Sequence, residues 1–108
     1  MAVLVELRVA GTREQHDAVD VAVSERIEAM GGPPAGLMFH LSWPEGAGFV
    51  LVDVWQTEPA ARRFLDEAVL PAVAAIGLRA GEPAVRPVWG MARLPAPGRH
   101  ARGRKRRR

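Results

Sequence analysis

A chain of 108 residues is long enough for one domain with a real core and too short for two. Apolar residues make up 48% of it, but none of its apolar runs approaches the roughly 20 residues that cross a bilayer. The alternating N-terminus is not typical of a signal peptide. The absence of cysteine excludes disulfides, thiolate metal sites and a cysteine nucleophile, and favours a cytoplasmic location.

The net charge of +3 is unevenly distributed along the chain. Seven of the 15 Lys and Arg residues follow Gly98, which leaves eight against all 12 acidic residues, or about −4 for residues 1–98. An acidic body argues against a nucleic-acid-binding face on the domain itself. Residues 96–108 are predicted to be a disordered basic tail, either a solubilising extension or a segment that binds nucleic acid, acidic lipid or an acidic protein. The tail residues that would bind such a partner are Arg102, Arg104, Lys105, Arg106, Arg107 and Arg108.

The N-terminal part of the chain predicts a strand followed by a helix. Apolar residues alternate over residues 2–9, which is typical of a strand. Thr12 and Gln15 have the spacing of a capping box, and the apolar positions that follow recur at helical spacing, so a first helix is predicted over residues 13–30. Gly31-Gly32-Pro33-Pro34 ends this helix.

A hairpin is predicted next, with strands at residues 37–43 and 49–55 and a turn at 44–47. Such a turn would pair Trp43 with Gly48, His40 with Leu51, and Met38 with Asp53. Since side chains alternate along a strand, His40, Asp53 and Trp55 would then share one face, with the carboxylate diagonally across from the imidazole.

The C-terminal half predicts a second helix and a fourth strand. Thr57 can cap the helix, with Pro59 in its first turn, and the apolar pattern continues to Ile76. Pro71 should kink or end this helix. The fourth strand is predicted over residues 84–94, with Pro87 placing it at an edge or a bulge.

The order β-α-β-β-α-β over residues 1–95 predicts an α+β, ferredoxin-like domain with a four-stranded antiparallel sheet. Two helices cover only one face of such a sheet, yet the strand at residues 49–55 is apolar on both faces. We therefore expect the second face to be covered by the same face of another copy, in a homodimer.

The hairpin and second helix, with His40, Asp53-Val54-Trp55, Phe64 and Leu70-Pro71, resemble the dimeric α/β-barrel superfamily. The pattern is most similar to antibiotic-biosynthesis-monooxygenase-like proteins of actinobacteria. The resemblance implies cofactor-free monooxygenation or polyketide cyclisation in a small cytoplasmic protein of secondary metabolism. The chain departs from the quinol oxygenases of that superfamily, whose pocket contains Asn, Trp and Tyr, because it has neither tyrosine nor asparagine.

His40 and Asp53 are the candidate catalytic pair, because a carboxylate beside an imidazole can orient it as a general base. The alternatives are ligand contact without catalysis and a purely structural pair. An aromatic or polyketide-like ligand would lie between sheet and helices. Four aromatic side chains would contact it, and the alternative role for each is to fill the core or an interface: Trp55, Phe64, Trp89 and Phe39.

No cofactor and no metal site are expected. His16, His40 and His100 lie in three different segments without ligand spacing, and the second helix has no histidine to ligate haem. Two other function classes stay open at this point. One is a non-catalytic ligand-binding or assembly protein of the same fold, and the other is a nucleic-acid adaptor that acts through its tail.

Overall fold

A computed structural model describes residues 1–92 and 94 of the chain. The predicted tail and its six candidate binding residues lie outside the described residues, so the role of the tail stays a prediction. The predicted element order is confirmed. The elements are β1 (Val3–Ala10), α1 (Arg13–Ala29), β2 (Leu37–Glu45), β3 (Gly48–Trp55), α2 (Glu58–Phe64), a π-turn (Leu65–Val69), α3 (Leu70–Ala75) and β4 (Ala84–Pro87).

The four strands form one antiparallel sheet in the order β2-β3-β1-β4, the arrangement of a ferredoxin-like α+β fold. The helices cover one face. On that face Val5 and Leu7 of β1 and Leu51 and Trp55 of β3 belong to a single buried core. Each is at most 7% exposed, so this core supplies most of the burial that stabilises the domain. Among the described residues, no helix is both long and apolar enough to cross a membrane.

Helix α1 begins as predicted. The Thr12 hydroxyl accepts from the Gln15 amide, and the Gln15 side chain accepts in return from the Thr12 amide. This reciprocal pair satisfies two of the amides that every helix leaves free at its start. Thr57 likewise caps α2.

Pro71 distorts the second helical segment without ending it. Because proline has no N–H, it cannot continue the regular ladder at its own position. The chain widens just before it, and the Leu70 amide bonds to the Leu65 carbonyl across a π-turn. The helical stretch then continues to Ala75, close to the predicted end.

Strand β4 is shorter than the predicted 84–94. Pro87 pairs with Val3, the first residue of β1, and the Val88 amide makes one more bond to the Ala2 carbonyl. The pairing of β4 with β1 ends there in the described part of the chain. The prediction that Pro87 marks an edge strand is confirmed.

The sheet face away from the helices is termed the open sheet face. Val50, Val52 and Val54 of β3 point to it, since they alternate with core residues. An ion pair between Arg8 Nε and Glu45 Oε2, 2.8 Å long, joins the two strands that flank Val50. The β2 residues on this face remain partly exposed: Phe39 at 51%, Leu41 at 36% and Trp43 at 37%.

Candidate functional site

The hairpin register brings His40 and Asp53 directly opposite each other. The turn consists of Gly46 and Ala47 alone, Glu45 pairs with Gly48, and His40 pairs with Asp53. The predicted four-residue turn was wrong by two residues, because Pro44 stays in the strand. An edge strand tolerates a proline, and Gly46 supplies the positive φ of 58° for a tight turn.

A shift of two residues preserves the face on which each side chain lies. His40 Nδ1 is 2.6 Å from Asp53 Oδ1, a short hydrogen bond between directly facing residues. A carboxylate can only accept, so Nδ1 carries the hydrogen and the neutral imidazole keeps Nε2 as its proton-accepting atom. No side chain among residues 1–92 and 94 hydrogen-bonds to Nε2, and a hydrogen bond between the ring and the Val52 backbone adds to the effect of Asp53 in raising the pKa of His40.

The pKa of His40 is raised above its ordinary value of 6.5. The main cause is the hydrogen bond to Asp53, which favours the imidazolium, while partial burial acts in the opposite direction. The negative charges of Asp53 and Asp20 add to the increase. The His40 side chain is 47% exposed and that of Asp53 is 17% exposed, so the carboxylate lies deeper than the imidazole it holds.

His40 and Asp53 line a cavity of about 290 Å³ between the sheet and the helices, termed the sheet–helix cavity. Its volume lies near the lower end of the range for small-molecule pockets. Apolar side chains form most of the wall, and four of the lining residues are polar. The lining comprises Val19, Asp20, Val23, Ser24, Ile27, Leu37, His40, Leu51, Asp53, Phe64 and Val69.

Asp20 and Ser24 are cavity residues that the sequence interpretation missed. Together with His16 they follow a spacing of four along α1, so they form a polar stripe beside the apolar one. That spacing is visible in the sequence. What the sequence lacks is the placement of α1, which decides whether the stripe faces β2 or solvent.

The four aromatic residues predicted for the pocket lie in different environments. Phe64 lines the cavity. Trp55, only 1% exposed, packs in the core against Phe64, with ring centroids 5.3 Å apart. Phe39 points to the open sheet face because it pairs with Val54, and Trp89 lies beyond β4 with 93% exposure. The fold therefore brings Phe64 to the His40–Asp53 pair and leaves Phe39 and Trp89 away from it.

The π-turn lies beside the cavity. Phe64 precedes it and Val69 ends it, and both line the cavity. Such turns are frequent at functional sites, because the wider turn changes which side chains face inward. Here Pro71 imposes the turn, so a residue predicted to interrupt a helix instead shapes the cavity wall.

A group with the spacing of metal ligands includes Asp20 of the cavity lining. Within the part of the chain that the structure describes, His16, Asp17 and Asp20 have ligand-type atoms within 4.8 Å of one another. The sequence interpretation considered only spacing among histidines and overlooked this group. Both aspartates are exposed, as acidic side chains on a solvated helix commonly are without an ion. We therefore assign no metal to them.

Comparisons with known proteins extend the fold assignment. No protein-family model and no curated protein sequence matches the chain. Solved structures do match. Rv0793 from Mycobacterium tuberculosis superposes with a TM-score of 0.59 at 15% identity, covering 86% of this chain and all of the other. A point mutant of SnoaB, a cofactor-independent oxygenase from Streptomyces nogalater, gives 0.56 at 20% identity over 83% of this chain and 95% of SnoaB.

A proposed antibiotic biosynthesis monooxygenase from Deinococcus radiodurans gives a TM-score of 0.57 at 10% identity, over 87% of this chain and 99% of the other. The structural neighbours thus include antibiotic-biosynthesis-monooxygenase-like proteins, and the ferredoxin-like fold is confirmed. At these identities the likeness is one of fold alone. Actinobacterial origin stays a prediction.

Proposed function

We propose that this chain is a small-molecule enzyme in which His40 removes a proton from an aromatic or polyketide-like substrate bound in the sheet–helix cavity. The observation that carries the proposal is the 2.6 Å contact between His40 Nδ1 and Asp53 Oδ1 within the lining of that cavity. A base needs an accepting atom, an orienting partner and room for a substrate, and these residues supply all three.

In the proposed mechanism, Nε2 of neutral His40 takes a proton from a hydroxyl or an acidic carbon of the substrate. Asp53 holds the Nδ1 hydrogen and stabilises the imidazolium that forms. The resulting enolate or phenolate has two outcomes. It can react with O₂, so that one oxygen atom enters the substrate and the other leaves as water, or it can close a ring by attacking a carbonyl carbon. The residues of the cavity serve the proton transfer in both cases.

The charges of the cavity favour a neutral substrate. Asp20 and Asp53 both line it, whereas no Arg or Lys does so among the described residues. An anionic ligand would be repelled by two carboxylates, while a phenol or an enolisable ketone would not. Apolar side chains such as Ile27, Phe64 and Val69 suit a flat hydrophobic skeleton.

A non-catalytic binding protein of the same fold is the second candidate. It would be favoured by a cavity filled with Trp55, Phe64 and Trp89. Trp55 instead packs in the core, Trp89 is exposed, and the remaining space is lined by His40. This arrangement supports the enzyme over the binding protein.

The proposal includes a homodimer through the open sheet face. Val50, Val52 and Val54 are already at most 5% exposed there, and the apolar surface left for a partner is that of Phe39, Leu41 and Trp43 on β2. An exposed row of large apolar side chains of this kind is typical of an interface. A second copy would bury it and leave the sheet–helix cavity, on the other side of the sheet, open to substrate.

Ligand binding tests the location of the site. We propose to screen phenolic and polyketide-like compounds by thermal shift, and to test each hit for O₂ uptake and for ring-closed product by mass spectrometry. Ser24→Trp, which adds bulk to the exposed part of the cavity lining, should abolish binding. Glu25→Trp, at the neighbouring exposed position outside the lining, is the matched control and should bind normally. Equal binding by both variants would place the ligand elsewhere.

A further inference from the structure

A second polar relay lies between α1 and β2, apart from the His40–Asp53 pair. His16 Nε2 is 2.8 Å from Ser42 Oγ, and His16 Nδ1 is 2.9 Å from Asp17 Oδ1. Because the Asp17 carboxylate can only accept, Nδ1 carries the hydrogen, and the neutral imidazole then accepts at Nε2 from the Ser42 hydroxyl. The order hydroxyl, imidazole, carboxylate is the order of a Ser-His-Asp triad.

The His16 ring is fixed in place. Its side chain is only 14% exposed, and it stands edge-on to Phe49 with ring centroids 5.0 Å apart and an interplanar angle of 85°. Asp17 is held in turn by Arg13, whose Nε is 3.2 Å from Asp17 Oδ1. These contacts lower the pKa of Asp17, chiefly through the hydrogen bond from His16, and keep the carboxylate ionised.

Ser42 and His16 open onto a second cavity of about 340 Å³, termed the α1 N-terminal cavity. Pro44 and Phe49 give it apolar walls, and Thr12 and Arg13 border it at the start of α1. Its volume suits a small ligand. A nucleophile hydrogen-bonded to a base and facing such a space is the geometry that covalent catalysis needs.

The start of α1 offers a donor for negative charge. The amide of Arg13, which lines the cavity, lies in the first helical turn and has no acceptor among the described residues, whereas the Gln15 amide is capped by Thr12. This free amide and the helix dipole favour an anion at this end of the helix. In acyl transfer, the carbonyl oxygen of the substrate becomes that anion.

We propose that Ser42 is the nucleophile of a second site, which hydrolyses small neutral carboxylic esters in the α1 N-terminal cavity. Ser42 Oγ bonds to the carbonyl carbon while its proton passes to His16 Nε2. The carbon–oxygen bond to the leaving alcohol then breaks, and the alcohol takes the proton from His16. Water attacks the acyl-serine by the same route, which releases the carboxylic acid and restores Ser42. Asp17 is a positioning residue that holds the imidazole through Nδ1.

Covalent labelling tests this site in the full chain, with EDTA present to keep metals away from His16, Asp17 and Asp20. The probe is diisopropyl fluorophosphate, which phosphorylates serines activated by a base. Mass spectrometry of the intact chain and its peptides should find one label, on Ser42. Ser24 is the only other serine of the chain and serves as internal control. No imidazole bonds to it in the described part of the chain, so it should stay unlabelled.

Variants separate catalysis from structure. Ser42→Ala should lose the label, and both Ser42→Ala and His16→Gln should hydrolyse para-nitrophenyl acetate about 100-fold more slowly than wild type. Asp17→Asn should slow labelling, and Asp17→Glu should restore part of the rate without a change in melting temperature. A wild-type chain without label on Ser42, or equal labelling of Ser24, would overturn the proposal. So would wild-type ester hydrolysis by Ser42→Ala. His40 takes no part in these steps, so failure here leaves the proposed oxygenase or cyclase site intact.

Discussion

His40 and Asp53 face each other across β2 and β3 as directly paired residues, and Nδ1 of the imidazole is 2.6 Å from Oδ1 of the carboxylate. Polar groups on the core side of a sheet cost stability unless they are paired. The presence of two polar residues at this position therefore needs an explanation, although they pair with each other. The pair lines a cavity in which Asp20 and Ser24 add further polar groups. The surrounding apolar wall is the reason we propose that these residues remove a proton from a bound ligand.

Asp53→Asn should lower the pKa of His40. The hydrogen bond that His40 donates to Asp53 is the largest cause of the raised pKa, and burial, which acts downward, would remain. The pKa is measured by NMR from the His40 ring shifts against pH, assigned with His40→Gln. Asp66→Asn, an exposed aspartate outside the cavity lining, is the matched control and should leave the titration unchanged. An unaltered His40 titration in Asp53→Asn would show that the pair does not form in solution.

Asp20→Asn should lower the pKa of His40 in the same direction but by less. Asp20 acts on His40 through charge alone, and this effect is smaller than the hydrogen bond to Asp53. The same NMR titration measures it, and raising the salt concentration should shrink the Asp20 effect more than the Asp53 effect. An Asp20→Asn shift larger than that of Asp53→Asn would mean that α1 lies closer to His40 than described.

The His40–Asp53 pair should make stability depend on pH with a defined sign. A folded pKa above the ordinary 6.5 means that the folded state binds the His40 proton more tightly than the unfolded state. The contribution is therefore fully present below the unfolded pKa and is lost as pH rises through the folded pKa. Urea unfolding at about pH 5.5 and about pH 8.5 brackets this window. Wild type should exceed His40→Gln by more at the lower pH, and a larger excess at the higher pH would contradict the raised pKa.

Gly48→Ala should destabilise the domain by about 1–3 kcal/mol. A Cβ at Gly48 would lie 2.1 Å from the Val9 carbonyl oxygen, so the backbone of β1 or β3 would have to move. Gly81→Ala is the matched control, because its nearest contact is 3.6 Å, to the Arg8 carbonyl oxygen. Urea denaturation compares the two. Equal midpoints would mean that β1 and β3 do not approach as closely at the end of the hairpin.

Leu41→Asp should separate the proposed dimer. Leu41 is 36% exposed on the open sheet face, and a charge there would be buried without a partner in the interface. Val21→Asp, at a 59% exposed position on α1, is the control and should leave the assembly intact. Sedimentation equilibrium measures the mass. A wild-type chain that sediments as a monomer would rule out the interface.

Local rules predicted the fold because they act over short stretches. Thr12 and Gln15 are three residues apart, and Thr57 and Pro59 are two apart, so their helix starts can be identified without knowledge of the rest of the molecule. The shared face of His40 and Asp53 was also predicted, although through a different register. That prediction survived because a shift of two residues conserves side-chain orientation.

Features that depend on the relative placement of elements were beyond local rules. Ser42 and His16 are 26 residues apart in the chain, and their contact depends on how α1 lies across β2. Trp89 was expected near the pocket, but β4 ends at Pro87, two residues before it. The π-turn before Pro71, which keeps the helix continuous past a proline, likewise could not be identified from local spacing.

The most direct test of the proposed base is the turnover of a bound phenolic or polyketide-like substrate by wild type and His40→Gln. Glutamine keeps a polar side chain at the position but cannot accept and release a proton as imidazole does. We expect substrate affinity to remain within about threefold of wild type while kcat falls about 100-fold, the size of effect that general-base catalysis supplies. A His40→Gln variant that binds the substrate and retains the wild-type kcat would contradict the assignment of His40 as the base.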